Sequence, residues 1–267
     1  MTALRFVQVD AFADAPFAGN PAAVMPLDAW LPDETLQAIA MENNLSETAF
    51  TVPANSGAEA DYELRWFTPT TEVALCGHAT LASGHVLIEG AEVRFATRKA
   101  GVLAVRRGEG GALELDLPLT LVRKGAHPGL LEALGTPEGQ VFLSYEGAES
   151  TAIVLAPNEA AVRACAPDMH ALRHIDLMAI VTARAARDAS YDVVSRVFVP
   201  AWGVDEDPVT GSAHAALAPF WAERLGRGRF AAFQASRRGG RVDCGIENGR
   251  AVLGGRCVTV IEGAFRL

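Results

Sequence analysis

Basic residues are scarce: 23 lysines and arginines face 32 acids, for a net charge of −9. Nucleic-acid binding draws on a basic surface, so that class of partner is not expected. The short cluster Arg237, Arg238 and Arg241 reads as a solvated turn. Cysteine is equally sparse. Cys76, Cys165, Cys244 and Cys257 show no short paired spacing, so neither a zinc cluster nor a disulfide scaffold is indicated, and a reducing cytoplasm is the default compartment. Long apolar runs are missing too, since charges or prolines interrupt each one before it reaches membrane-spanning length. The opening MTALRFVQVDAFADAP alternates like a strand and carries Asp10 and Asp14 where a secretory signal needs an apolar core.

What remains is a globular balance. With 267 residues, 50% hydrophobic and 21% charged, the chain has room for one large domain or two ordinary ones. Its organising stretch is Thr68 to Leu87, TPTTEVALCGHATLASGHVL, which delivers a Cys-Gly-His turn onto a helix start. Ala79, Leu81, Ala82, Val86 and Leu87 fit the buried face of that helix. A helix start offers backbone N–H groups and the positive end of the dipole, which suits it to an anion such as a carboxylate.

A second copy runs from Asp207 to Leu225, DPVTGSAHAALAPFWAERL. Setting Cys76 against Thr210 pairs Gly77 with Gly211, His78 with Ser212 and Ala79 with Ala213. Earlier segments agree at an offset of 130, where Ala22, Val24 and Met25 match Ala152, Val154 and Leu155, and Ala49 matches Ala179. This predicts an internal duplication. Helices and strands interleave without regular βαβ spacing, so the fold class expected is α+β. The domains expected are residues 1–120 and 121–267, joined at a linker near Pro118 to Pro128, with the last strand free to cross back.

Leu45 to Val52, LSETAFTV, reads as a strand with Leu45, Glu47 and Ala49 on one face. A carboxylate among apolar neighbours is costly unless paired, which makes Glu47 a candidate general acid or base. Gly19-Asn20-Pro21 suits a tight turn. His170 and His174 have the spacing of helical metal ligands, but HALRH lacks the glutamate of a zincin and reads as a solvated or capping pair. Ser212 and His214 are too close to form a triad alone, and no nucleophile elbow is present.

VDAFADAPFAGNPAAV, NLSETAF, FTPTTEVALCGHATLASGHVL and DEDPVTGSAHAALAPFWAERLG together resemble the phenazine-biosynthesis isomerase (PhzF-like) family of the diaminopimelate epimerase fold superfamily, over essentially the whole chain. The resemblance implies two pseudo-symmetric domains, each a curved mixed sheet around a central helix, with the active site in the cleft between them. It also implies a homodimer that uses no cofactor or metal. The family's catalytic glutamate falls on Glu47, its Gly-His histidine on His78 and its Asp-Pro aspartate on Asp207. Its carboxylate-holding backbone falls on Gly77, His78, Gly211 and Ser212, with Asn20 as a further binding candidate.

The superfamily's racemases oppose two cysteines, whereas here Cys76 is matched by Thr210, whose alcohol is a poor base. Two-base racemisation is therefore disfavoured. The activity expected is a cofactor-independent proton shift on a small cyclic amino or hydroxy carboxylic acid, similar to dihydro-3-hydroxyanthranilate, with Glu47 as the proton carrier. The alternatives are a Cys76-dependent epimerase or hydroxyproline-type dehydratase, and a non-catalytic protein that binds small carboxylates.

Overall fold

The computed structural model describes residues 2–147 and 149–267. The chain forms two compact units, Met1–Asp116 with Gly254–Leu267, and Leu117–Leu253. Among the described residues no helix is long and apolar enough to cross a membrane.

In the first unit, β1 (Ala3–Ala11) runs antiparallel to β2 (Asn20–Pro26). The connection is tight: Gly19 has φ +65°, and a Cβ there would stand 2.1 Å from the Ala11 carbonyl oxygen, so only glycine fits. Helix α1 (Asp33–Asn43) starts with two acids, Asp33 and Glu34, where the dipole favours them, and stops at Asn44 in the left-handed region. β3 (Glu47–Pro53) lies parallel to β2 with Glu47 beside Ala22, and β4 (Tyr62–Phe67) is antiparallel to β3. The alternating, one-faced strand expected here is replaced by one covered on both sides. Thr48 through Val52 are all buried, and both α1 and α2 pack on the strand.

A short β5 (Glu72–Val73) then leads into α2 (Gly77–Leu87). Gly77 through Gly84 are buried without a break, so this helix is enclosed rather than one-faced, packed by β1, β2, β3 and β7. Small residues, Ala79, Ala82, Ser83 and Gly84, sit in this helix where the sheet comes close. A Cβ on Gly84 would stand 2.4 Å from Val105 Cγ1. Leu81, fully buried, contributes about 2 kcal/mol of apolar transfer. β6 (Glu92–Thr97) is parallel to β4 and is followed by the antiparallel β7 (Val102–Arg107) and β8 (Leu113–Pro118).

The second unit repeats this order. β9 (Leu121–Lys124) occupies the stretch expected as a linker and pairs with β10 (Gln140–Glu146) after the one-turn α3 (Leu130–Ala133). β10 is antiparallel to β11 (Thr151–Leu155), and the short α4 (Glu159–Ala164) and α5 (Met169–Leu172) precede β12 (Met178–Arg184), which is parallel to β11. β13 (Val193–Val199), β14 (Val204–Asp207), the central α6 (Gly211–Leu225), β15 (Arg229–Gln234), β16 (Gly240–Glu247) and β17 (Arg250–Gly255) follow. β18 (Cys257–Arg266) pairs with β1 in the first unit.

The run of pairings β1 to β7 around α2 (antiparallel, parallel, antiparallel, antiparallel, then a parallel return and a hairpin) recurs as β10 to β16 around α6. The duplication is therefore real in topology. Its register differs from the constant offset expected: Ala22 sits beside Glu47, but Ala152 sits beside Ala179 rather than Leu177. The facing helices give the reason: Phe50 and Val52 pack with Leu36 and Ile39 as Ala179 and Val181 pack with Val162 and Leu172, and Thr48 pairs with Phe67 as Ala179 pairs with Phe198, so Thr48 answers to Ala179 and Ala22 to Thr151. The place of Glu47, beside Ala22, is therefore taken by Met178, beside Thr151, whose sulfur lies 3.9 Å from the Ser212 hydroxyl.

Candidate active site

Within the first unit, three elements bring side chains to the start of α2. β3 supplies Glu47 from its first residue, β2 supplies Asn20 from its own first residue, and the helix start supplies Cys76 and His78. Asn20, Cys76 and His78 are buried, and Glu47 keeps a side-chain exposure of 18%. Glu47 Oε2 lies 3.0 Å from His78 Nε2. That contact meets the distance for an ion pair, but its angle is poor for a hydrogen bond, and Oε2 accepts no other. On the far side of the ring, His78 Nδ1 is 3.2 Å from Asn20 Nδ2 and 3.5 Å from Cys76 Sγ.

These contacts settle the histidine's tautomer. Ser46 Oγ donates to Asn20 Oδ1 at 3.0 Å, which directs the amide nitrogen at the ring. An amide nitrogen only donates, so Nδ1 carries the lone pair and the ring proton sits on Nε2, facing Glu47. Chemically, this is a carboxylate beside an imidazole N–H with a thiol behind it, set at the first turn of a helix whose N–H groups and dipole suit an anion. The three donor groups of Glu47, Cys76 and His78 all lie within 4.8 Å of one another.

In the second unit, the start of α6 gathers Asp207, Thr210, Gly211 and Ser212. The backbone at Thr210 (φ −112°, ψ 111°) is extended like that at Cys76 (φ −142°, ψ 106°), and neither side chain caps its helix. The Thr210 hydroxyl donates instead to Asp207 Oδ2. Gln234, fully buried at the end of β15, holds this turn from behind: its Oε1 accepts from Thr210 N at 2.9 Å, and its Nε2 donates to the Asp207 carbonyl at 2.7 Å. His214 is completely buried and its Nδ1 donates to the Thr210 carbonyl at 2.7 Å. Burial pushes the Glu149 carboxyl above the usual range, opposed by a hydrogen bond from Ser212.

The sequence-predicted residues thus fall into two sets, Asn20, Glu47, Cys76, Gly77 and His78 in the first unit and Asp207, Thr210, Gly211 and Ser212 in the second. Ser46, Gln234, His214 and Glu149 were missed. Ser46 sat inside a motif already singled out, and an orientation role was open to any polar neighbour there. Gln234 and Glu149 carry no local signal, because a strand end and a loop acquire their importance only through pairing. His170 on the short α5 and His174 in the turn just after it are exposed, with their rings edge to face, 5.4 Å apart. The other cysteines are unreactive packing residues: burial drives Cys165 up to about 11, Cys257 up to about 12, and Cys244 higher still.

Residues 9–263 match the family model described as phenazine biosynthesis-like protein, PhzC-PhzF. The chain is 50% identical to a protein of Pseudomonas aeruginosa described as an uncharacterized isomerase, with 99% of each covered. The crystal structure of a PhzF-family phenazine biosynthesis protein from Enterococcus faecalis superposes with a TM-score of 0.89 at 40% identity, over 100% of both chains. At 22% identity and a TM-score of 0.74, over 98% of this chain and 99% of the other, a structure from Pseudomonas aeruginosa described as a predicted epimerase shares the fold.

Proposed function

Because the chain belongs to the phenazine biosynthesis-like (PhzC-PhzF) family of isomerases, with its diaminopimelate epimerase-like fold, we propose that it moves a proton between two carbons of a small carboxylic acid, with Glu47 as the carrier. The substrate class is a cyclic amino or hydroxy acid similar to dihydro-3-hydroxyanthranilate, and the reaction needs no cofactor. Glu47 takes the proton from an acidic C–H and returns it at another carbon. The His78 Nε2–H steadies the carboxylate while it is charged. Backbone N–H groups at Gly77 and His78 hold the substrate carboxylate and stabilise negative charge as it develops. Asp207, Gly211 and Ser212 take supporting parts by the family pattern, and Asn20 fixes the imidazole. A homodimer is the assembly proposed.

The observation that carries this is the buried Glu47 Oε2 at 3.0 Å from His78 Nε2. A carboxylate held at an imidazole N–H, and not consumed by a well-angled hydrogen bond, stays available to a substrate proton. The thiol near Nδ1 keeps a second reading in view, in which Cys76 is the base of an epimerase or dehydratase. Proton NMR of candidate cyclic acids in deuterated water separates the two. The expected result is exchange with the wild type that falls at least about 100-fold in Glu47→Gln, the usual weight of a general acid or base. Equal exchange in both, with loss in Cys76→Ser, would assign the chemistry to the thiol; a small acid that binds without exchange would make the protein a carboxylate binder.

A further inference from the structure

The loop from Phe12 to Gly19 joins β1 to β2, and it rises at the end of the sheet where the site is built. Ala11 pairs with Asn20 across this hairpin, Glu47 pairs with Ala22 two residues further on, and Asn20 itself reaches the His78 ring. Phe17 lies three residues before Asn20, a span of at most about 11 Å. Its ring is 82% exposed and its backbone has a φ of +72°. A bulky side chain is uncommon at positive φ, a conformation that only glycine adopts without cost. Phe12, at φ +57°, shows what offsets that cost: it is 1% exposed and packed so closely that a Cβ on Gly255 would meet its Cδ1 at 2.3 Å. Phe17 has no such compensation. Its amide donates to the buried Asp10 Oδ2 at 2.8 Å, and Ala13 N donates to Arg256 O at 2.9 Å, so backbone groups that any residue supplies hold the loop. The ring brings strain and exposed apolar area to the free protein, and strain of this kind is retained where it is used in binding.

We propose that Phe17 is a specificity-determining residue, whose ring packs on the apolar face of a cyclic acid bound at Glu47 and His78 and selects such acids over open-chain ones. The polar groups of that acid turn inward, its carboxylate to the N–H groups at the start of α2 and its acidic C–H to Glu47. Its outer carbon face is left at the rim, where an apolar side chain excludes water. Stacking on an aromatic ring rewards a substrate that is itself a ring, and an open chain offers no matching face. Phe17 carries no titratable group, so its contribution is to binding and not to the movement of the proton.

This role rests on the reading of the first unit's helix start as the reaction site, and binding tests it apart from turnover. 3-Hydroxyanthranilate, an aromatic acid with the ring substituents of the proposed substrate, is titrated into the full chain and followed by proton NMR, with serine as the open-chain comparison. Phe17→Gly is expected to weaken the aromatic acid at least about 10-fold, the factor set by losing a buried phenyl contact, and to leave serine within about 2-fold. Phe17→Tyr keeps the ring and retains binding, as does Ile261→Ser, an exposed apolar position on β18. Thermal unfolding of Phe17→Gly is expected at or above the wild-type midpoint, because glycine relieves the positive φ. Equal affinity of Phe17→Gly and wild type for the aromatic acid, or a midpoint lowered by the substitution, overturns the role. So does a wild type that takes 3-hydroxyanthranilate no better than serine. Phe17→Gly that loses self-association in sedimentation while binding the acid as before gives the ring to a subunit contact, which also overturns it. Proton exchange that persists in Glu47→Gln while Phe17→Gly binds weakly removes Glu47 from the chemistry and keeps the ring contact. Exchange lost in Glu47→Gln with full binding in Phe17→Gly does the reverse.

Discussion

His214 makes the second helix start sensitive to acid, and the size of the effect follows from its surroundings. The ring is completely buried, its Nδ1 donates to the Thr210 carbonyl, and its Nε2 has no partner among the described residues. Protonation would place a charge on that buried nitrogen, so burial lowers the histidine from 6.5 to about 4. The unfolded imidazole takes up a proton below its ordinary value while the folded one resists down to its own. Stability from this residue is therefore complete above pH 6.5 and falls as the pH drops toward 4. Integrated between about pH 8 and about pH 5, the loss is about 2 kcal/mol. Urea unfolding of wild type and His214→Gln across that range measures it, because the other titrating groups cancel in the difference. The two stabilities should converge by about 2 kcal/mol on acidification. Parallel curves would falsify the assignment of a neutral, buried imidazole at this turn.

Two further substitutions test the first unit's frame. Arg65, 3% exposed, donates to Glu72 through Nε and Nη2 and to Asp33 through Nη1, each at 2.8 Å, and its hydrogen bonds hold both carboxyls below their ordinary values. Its partners keep contact with water, so Arg65→Met should cost about 2–3 kcal/mol rather than the full penalty of a buried pair. It should also flatten the loss of stability that the wild type shows as the pH falls below 4.5. Acid titration of the urea midpoint checks both parts, and an unchanged acid limb would discard the cluster. Gly84→Ala gains about 1 kcal/mol of helix propensity. It also drives a methyl to 2.4 Å from Val105 Cγ1, so the expected net change is a destabilisation of about 1 kcal/mol, relieved when Val105→Ala is added. A stabilised single variant in thermal unfolding would mean that α2 has more room than its packing indicates.

How far the sequence revealed this molecule depended on where each signal was stored. Tight local chemistry was legible: the helix Gly77–Leu87 follows from apolar spacing, and the Cys-Gly-His and Thr-Gly-Ser turns announced the two helix starts. Glu47 was legible as an acid among apolar residues, but the one-sided strand around it was not the right picture. A central strand covered on both sides reads as a continuous apolar run, and Thr48 and Thr51 masked that run: Thr48 Oγ1 accepts from Asn43 Nδ2, and the Thr51 hydroxyl is buried without a partner among the described residues. The strand within the expected linker was hidden for a related reason. Leu121–Lys124 is four residues long and half-exposed, and only its pairing to β10 makes it a strand. Gln234 and Ser46 matter through partners distant in sequence or carried on another strand, which no periodicity records.

The difference between the two copies at one strand position bears most directly on the chemistry. Both units set an extended residue and a Gly onto a helix start, and both build a parallel pair of strands beside it. In the first, that pair places Glu47 beside Ala22, and the helix start answers with the imidazole of His78. In the second, the matching strand position is Met178, and the helix start offers the Ser212 hydroxyl. The N-cap hydroxyl there, Thr210, is engaged by Asp207 and braced by Gln234, which fixes its orientation and does nothing to make an alcohol a base at neutral pH. Among the described residues, a buried carboxylate facing an imidazole at a helix start occurs in the first unit and has no counterpart in the second. A duplicated scaffold that had kept two equal bases would favour removing a proton from one face of a carbon and delivering another to the opposite face. One that kept a single carboxylate–imidazole pair favours carrying the same proton from one carbon to the next. Retention of label in a single turnover, with a substrate deuterated at the donor carbon run in ordinary water, is the signature expected of that arrangement, and complete washout in every turnover would instead require a second exchangeable base.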